Sequence, residues 1–159
     1  MMTGILLLSF LLTGCGSQEP QTGKKMSMYY INTAETKVEV HEQYLNTKTL
    51  DEQLDETMRY LSTTPEKLEY KAPLDMGFRV LDYEVEDGKL LINVDKAYSE
   101  LSPTTEVLVR AAIVRTLTQL PNVKYVGITV EDSQLYDNAG EMVGWMNADQ
   151  FINNDGNEI

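Results

Sequence analysis

Hydrophobic and polar residues follow two periods along this chain. Alternating or β-branched stretches predict five strands, at Met26–Ala34, Lys37–Leu45, Phe78–Val85, Lys89–Asp95 and Val123–Val130. Apolar residues at helical spacing predict two helices, one with Leu50, Leu54, Met58 and Leu61, the other with Val107, Leu108, Ala111, Val114 and Leu117.

Local signals support these elements. Thr49 and Glu52 form a capping-box pattern at the start of the first helix. Ser102-Pro103 offers an N-cap followed by proline at the first helical position of the second helix. Asp87-Gly88 favours a type I′ turn, so it predicts a hairpin in which Leu81, Tyr83 and Val85 share one face.

The order of elements predicts an α+β fold, β-β-α-β-β-α-β, followed by a C-terminal appendage. Two amphipathic helices would pack on one face of a mixed or antiparallel sheet. Because each helix shows a single apolar stripe, neither should be covered on two sides. The turn-rich appendage predicts a small strand at Met142–Met146 and a helical turn at Asn147–Ile152.

The N-terminus predicts export and lipidation. The apolar run Ile5–Leu12 is much shorter than the ~20 residues of a membrane-spanning helix and fits the core of a signal peptide. Leu12-Thr13-Gly14-Cys15 resembles the bacterial lipobox, in which the cysteine thiol receives the lipid. Met1–Gly4 carries no positive charge, so we expect the natural start to lie upstream.

These features divide the chain into four parts. Residues 1–14 are the expected signal peptide, and residues 15–25 hold the lipidated Cys15 and a flexible tether. Residues 26–153 form one domain, and residues 154–159 a disordered tail. The predicted location is the outer face of the bacterial cell membrane, with a covalent lipid on Cys15 and no other cofactor.

The net charge of the chain restricts the classes of partner that we expect. The 159 residues carry a formal net charge of −12. A strongly negative domain gains nothing from neutralising phosphates, so we expect no nucleic-acid partner. The one cysteine allows neither an intrachain disulfide nor a cysteine zinc site, and we predict no metal site.

Catalysis finds little support. His41 is the one histidine, and its place on the polar side of a predicted strand favours an exposed residue over a catalytic base. No Gly-x-Ser-x-Gly elbow supplies a nucleophile. Acidic residues cluster at the hairpin tip and near the C-terminus, yet a glycosidase needs two carboxylates across a cleft. We therefore predict no catalytic residues. A hydrolase is the least supported of three hypotheses for the function, and the other two are given below.

Aromatic residues are the candidate interaction residues. The nine tyrosines at strand spacing are typical of sheet packing. Tyr29 and Tyr30 are adjacent, so one of them should point away from the core. Trp145, in the appendage, is the strongest single candidate for an interaction residue.

The second helix and the strand after it resemble the GerMN domain of sporulation and spore-germination lipoproteins. The similarity lies in a helix that ends in Thr116-Leu117-Thr118, the following strand Val123–Val130, Asp87-Gly88 with Val94-Asp95 and Tyr98, and the closing segment Gly140–Asn153. It covers about residues 28–153. Glu131-Asp132 stands where the family often has Asp-Gly after the last strand.

The resemblance implies a non-enzymatic protein, because the family is not known for catalysis. Its members are implicated in envelope structures of spore-formers, and the fold is akin to ring-building modules of secretion-like channels, which implies a scaffold or assembly role. Our first hypothesis is therefore a membrane-tethered domain that assembles with itself or with envelope proteins. The second is a module that binds peptidoglycan or another extracellular ligand. A pocket lined by Trp145 and tyrosines would favour this hypothesis.

Overall fold

In the computed structural model, residues 23–65 and 69–151 are described. The predicted signal peptide, Cys15 and the tail lie outside the described residues. The elements are β1 Lys24–Asn32, β2 Val38–Leu45, α1 Leu50–Leu61, β3 Tyr70–Lys71, β4 Val80–Glu86, β5 Lys89–Val94, α2 Pro103–Leu117, β6 Tyr125–Val130 and β7 Ser133–Gln134. Short 3₁₀ helices lie at Lys96–Glu100 and Ala148–Phe151. The α+β class is confirmed, and Lys24 and Lys25 belong to β1 rather than to the tether.

The strands form two sheets instead of one. The first is antiparallel in the order β2-β1-β3, and the second is mixed in the order β4-β5-β6-β7. In the second sheet β5 and β6 are parallel, as the crossover through α2 requires. None of the helices within the described residues combines the length and apolar character needed to cross a membrane.

The two sheets stay separate because α2 covers the edge of β1 that another strand would use. Gln119, just beyond α2, accepts the Ser27 N–H through Oε1 at 3.0 Å and donates from Nε2 to the Ser27 carbonyl at 2.7 Å. One turn earlier, Thr116 Oγ1 accepts the Tyr29 N–H at 3.0 Å. These side chains satisfy backbone groups that a paired strand would otherwise satisfy.

Helix α2 is central, whereas α1 is amphipathic as predicted. In α2, 10 of 15 residues are buried, and the helix packs against β1 and β2 of one sheet and β6 of the other. The prediction of a single apolar stripe is wrong for α2, because Val109 and Ala112 extend the apolar surface around the helix. In α1 the capping box of Thr49 and Glu52 is confirmed.

The Asp87-Gly88 hairpin is confirmed, with φ of 51° at Asp87 and 79° at Gly88, as a type I′ turn requires. The predicted face differs at one residue. The register shifts between Val80 and Asp82, so Leu81 is bulged and exposed while Val80 lies opposite Val94. A bulge inserts one unpaired residue and so reverses the alternation beyond it.

The alternation in β2 predicts Val38, Val40 and Tyr44 on the apolar side, and this holds only at Val38, which is buried. His41 and Gln43 pair with the buried Met28 and Met26, so their side of β2 is the one that faces α1. Gln43 Nε2 donates to the hydroxyl of Tyr60 in α1 at 3.0 Å. Val40, predicted on the apolar side, is exposed. The alternation in β2 is real, but packing of α1 on the polar side determines which face is covered.

Candidate interaction surface

The segment after β6 folds back along the free side of that strand. Glu131 and Asp132 both have positive φ, of 47° and 62°, and form the tight turn into β7 that an Asp-Gly pair would also form. Farther on, Met146 exchanges two backbone hydrogen bonds with Val126, of 2.8 and 2.9 Å. This pairing anchors the appendage to the second sheet.

The predicted strand Met142–Met146 does not form. Isolated bridges join Met142 to Tyr136 and Met146 to Val126, and beyond the bond from the Val143 N–H to the Leu135 carbonyl the first pairing does not continue. Because the two ends of this stretch pair with different segments, no continuous ladder can develop. The predicted helical turn is confirmed as the 3₁₀ helix Ala148–Phe151.

The bridge at Met146 places Trp145 on the outer face of the second sheet, opposite the core. Leu91 lies beside Gly127 on the same face. The indole lies over Gly127, where an added Cβ would come within 2.8 Å of Trp145 Cζ3. Gly127 therefore provides the space that the ring occupies, a pairing of an aromatic residue with a strand glycine.

Trp145 is the centre of an exposed apolar surface. Trp145 is 43% exposed, Met142 63% and Tyr125 41%. Met142 and Trp145 line, with Leu91, a cavity of about 170 Å³. We call Leu91, Tyr125, Met142 and Trp145 the outer-face patch. The Lys89 ammonium lies 5.4 Å from the centre of the Trp145 ring, within the range of a cation–π interaction.

Acidic side chains border the outer-face patch along β4. Glu84 pairs directly with Leu91, and Asp82 and Glu86 occupy the same face two residues to either side. The buried Asn93 holds two carboxylates together, because its Nδ2 donates to Asp82 at 3.1 Å and to Asp132 at 2.8 Å. The rim of the patch is thus strongly negative on this side.

The other two predicted interaction residues lie elsewhere, in the first sheet. Tyr30 is only 3% exposed and stacks on Tyr70, with ring centres 6.2 Å apart. Burial raises the pKa of Tyr30 to about 12. Tyr29 is half-buried, with the Arg115 guanidinium 4.2 Å from its ring centre. Trp145 is therefore not brought together with either tyrosine.

Sequence reasoning missed the neighbours of Trp145. The alternation of Leu90, Ile92 and Val94 on one face of β5 already predicts Leu91 on the other face, but nothing in the sequence shows that Trp145 lies there too. Gly127 carried a usable signal, since a glycine inside a strand of β-branched residues often marks a close approach by another side chain.

His41 lies in a separate cleft between β2 and the end of α1. With Tyr30, Tyr60 and Arg59 it lines a cavity of about 230 Å³. In residues 23–65 and 69–151, no group of three or more His, Cys, Asp or Glu side chains is placed to hold a metal ion. The cleft presents hydroxyl, imidazole and guanidinium groups, which suit binding of a polar molecule.

Comparison with known proteins identifies the fold. Tandem GerMN domains of the sporulation protein GerM from Bacillus subtilis match with a TM-score of 0.56 at 19% identity, over 84% of this chain and 49% of that chain. The first GerMN domain of the same protein matches with a TM-score of 0.55 at 15% identity, over 76% of this chain and 94% of that chain. This chain thus spans about half the length of the tandem structure. A comparison with curated proteins finds no match.

The profile of the Germane family, described as sporulation and spore germination, matches residues 27–136. That range is well over half of the 159 residues and includes both helices, the β4–β5 hairpin and all but the first three residues of the β1–β2 hairpin. The solved GerMN domains share the fold independently of this match. The chain therefore belongs to the Germane family of sporulation and spore-germination proteins, with a GerMN-type domain.

Proposed function

We propose that this chain is a non-enzymatic domain, tethered to the outer face of the bacterial membrane through Cys15, that acts in envelope assembly by binding a protein at the outer-face patch. The observation that carries the proposal is the seating of Trp145 on Gly127, which holds a large aromatic ring in place on an exposed face. A ring positioned before binding loses little conformational entropy when a partner covers it.

The composition of the surface supports protein binding. Tryptophan and methionine are enriched in protein interfaces, and tryptophan is frequent among the residues that contribute most to affinity. Here both lie beside Leu91 around one shallow cavity, and the acidic residues of β4 border it on one side. An apolar centre with a polar rim is the usual arrangement of an interface between proteins.

Photo-crosslinking in intact cells tests this function. A photoreactive amino acid placed at Met142 reports contacts of the patch, and the same amino acid at the exposed Leu50, at the start of α1, serves as the control position. We expect position 142 to capture a defined envelope protein, and Trp145→Ala to abolish that capture. Equal capture at both positions, or capture that Trp145→Ala leaves unchanged, would contradict the proposal.

The lipid anchor has its own test. The lipobox-like residues before Cys15 support it, and a thiol carrying two acyl chains would meet the two-signal requirement for stable anchoring. We expect wild-type protein to incorporate a fatty-acid label and to sediment with membranes. Cys15→Ser should lose the label; a Cys15→Ser protein that keeps it would disprove lipidation at this residue.

A second candidate function is binding of peptidoglycan or another extracellular ligand, which the cleft around His41 favours. Its walls combine two tyrosine rings with hydrogen-bonding groups, a combination that suits sugar rings. Sedimentation with purified peptidoglycan that Tyr60→Ala abolishes and Trp145→Ala leaves intact would support this function. A protein that does not sediment with peptidoglycan would contradict this second candidate function.

A further inference from the structure

We infer that the partner of the outer-face patch is a basic segment of another protein, in which lysine or arginine side chains flank an apolar residue, and not a second copy of this chain. The inference rests on the proposed function, since it specifies the chemistry of the partner that the patch binds. It follows from how the acidic and apolar side chains are arranged on one face of the second sheet.

The acidic and apolar groups lie in adjacent columns. Glu84 lies opposite Leu91, and Leu91 lies beside Gly127, over which the Trp145 ring is seated. Neighbouring strands are about 4.8 Å apart, so the backbone of Glu84 lies about 10 Å from that of Gly127. A partner side chain over the indole would therefore have neighbours within reach of the acidic column.

The carboxylates of this column lack basic partners in residues 23–65 and 69–151, where none of the observed ion pairs includes Asp82, Glu84, Glu86 or Asp132. Lys89 lies opposite Glu86, yet its ammonium is directed to the Trp145 ring. Asn93 holds Asp82 and Asp132 close together by donating to both. A cationic side chain from outside would relieve this like-charge repulsion.

Charge also separates a basic partner from the alternatives. A second copy would bring the same acidic column to the interface and a further net charge of −12. Like charges set opposite each other across an interface weaken binding and suppress the wrong partner. Anionic lipid surfaces and nucleic acids are repelled for the same reason. A basic protein segment is the occupant that satisfies both the apolar centre and the acidic rim.

The test extends the crosslinking in intact cells. Capture from position 142 is compared in Glu84→Lys, in the milder Glu84→Gln, and in Glu100→Lys, which reverses an exposed charge in the 3₁₀ helix before α2. We expect Glu84→Lys to reduce capture at least tenfold, Glu84→Gln to reduce it less, and Glu100→Lys to leave it unchanged. The crosslinked partner peptide, identified by mass spectrometry, should carry lysine or arginine near the attachment point.

Restoration by charge exchange completes the test. Replacing that partner lysine or arginine by glutamate should restore capture by the Glu84→Lys protein. If capture depends on Trp145 but not on Glu84, or if the captured protein is a second copy, this inference is overturned while patch-mediated binding stands. If capture does not depend on Trp145 at all, the proposed function fails and this inference fails with it.

Discussion

The indole of Trp145 occupies the space above Gly127 that a side chain at position 127 would need. A Cβ at position 127 would meet Cζ3 of the ring at 2.8 Å and Cε3 at 3.0 Å. The ring cannot sink closer to the sheet, and its outer surface stays in solvent. The pair therefore sets how far the indole projects from the outer face.

Gly127→Ala should displace the indole without unfolding the domain. The ring lies at a partly exposed site and can move outward, so we expect a loss of about 1 kcal/mol, at the lower end for overpacking. Trp145 is the one tryptophan of the chain, and its emission should shift to the red. In Gly127→Ala/Trp145→Ala the two effects on unfolding free energy should not add. Additive effects would show that the two residues do not contact.

Thr116→Val should destabilise the domain by about 1–3 kcal/mol, because the Tyr29 N–H loses its acceptor without a change in side-chain shape. Gln119→Leu should cost a similar amount, since it removes both bonds to Ser27. Thr104→Val, at an exposed position of the same helix, is the control. Urea unfolding measures all three. A Thr116→Val protein as stable as the control would show that α2 does not cap β1.

Glu56→Gln should lower stability at neutral pH by about 1–3 kcal/mol. Burial alone would raise the pKa of Glu56, but bonds from the Thr47 hydroxyl and from the Asn46 and Thr47 N–H groups outweigh it and hold the pKa below 4.5.

A lowered folded-state pKa stabilises the fold above the unfolded value, and that stabilisation is lost as the pH falls through the folded pKa. The wild type should therefore lose stability below pH 4.5 more steeply than Glu56→Gln. Glu100→Gln, at an exposed site, should follow the wild-type curve. Parallel curves for wild type and Glu56→Gln would contradict this role of Glu56.

Gly88→Ala should cost about 1–3 kcal/mol, because position 88 has φ of 79° and a side chain there is strained. Space is not the cause, since the nearest atom to an added Cβ is Lys124 Cδ at 3.4 Å. Asp87→Asn should be nearly neutral, since asparagine tolerates the same conformation. Gly144→Ala, at a glycine with open space, is the matched control. Equal unfolding midpoints for Gly88→Ala and Gly144→Ala would refute the strain.

Local chemistry made much of the fold predictable. The Thr49 capping box, the Ser102 N-cap and the Asp87-Gly88 turn each involve residues within four positions of one another, so their pattern is visible in the sequence. Long-range contacts were not predictable in this way. The division into two sheets depends on Gln119 reaching Ser27, 92 residues away, and no periodicity encodes that contact.

Of the residues in the candidate interaction surface, only Trp145 could be singled out from the sequence. Trp145 stood out as the single tryptophan in a turn-rich segment, and the structure places it on an exposed face. Tyr29 and Tyr30 lie in β1 of the other sheet; their adjacency predicts only that their side chains point to opposite faces of a strand. The acidic column beside the patch became visible only when the β4–β5 register placed Glu84 opposite Leu91.

The capping of β1 by α2 limits how copies of this protein can associate. On the side of β1 away from β2, α2 covers Ser27 and Tyr29 and β3 pairs with Ile31 and Asn32, so β2 offers the long edge of this sheet. Two copies that joined through β2 would each use this edge and form a closed, symmetric pair. Pairing through β2 therefore gives a dimer, and a fibre built on this sheet would also have to use β3, which is only two residues long.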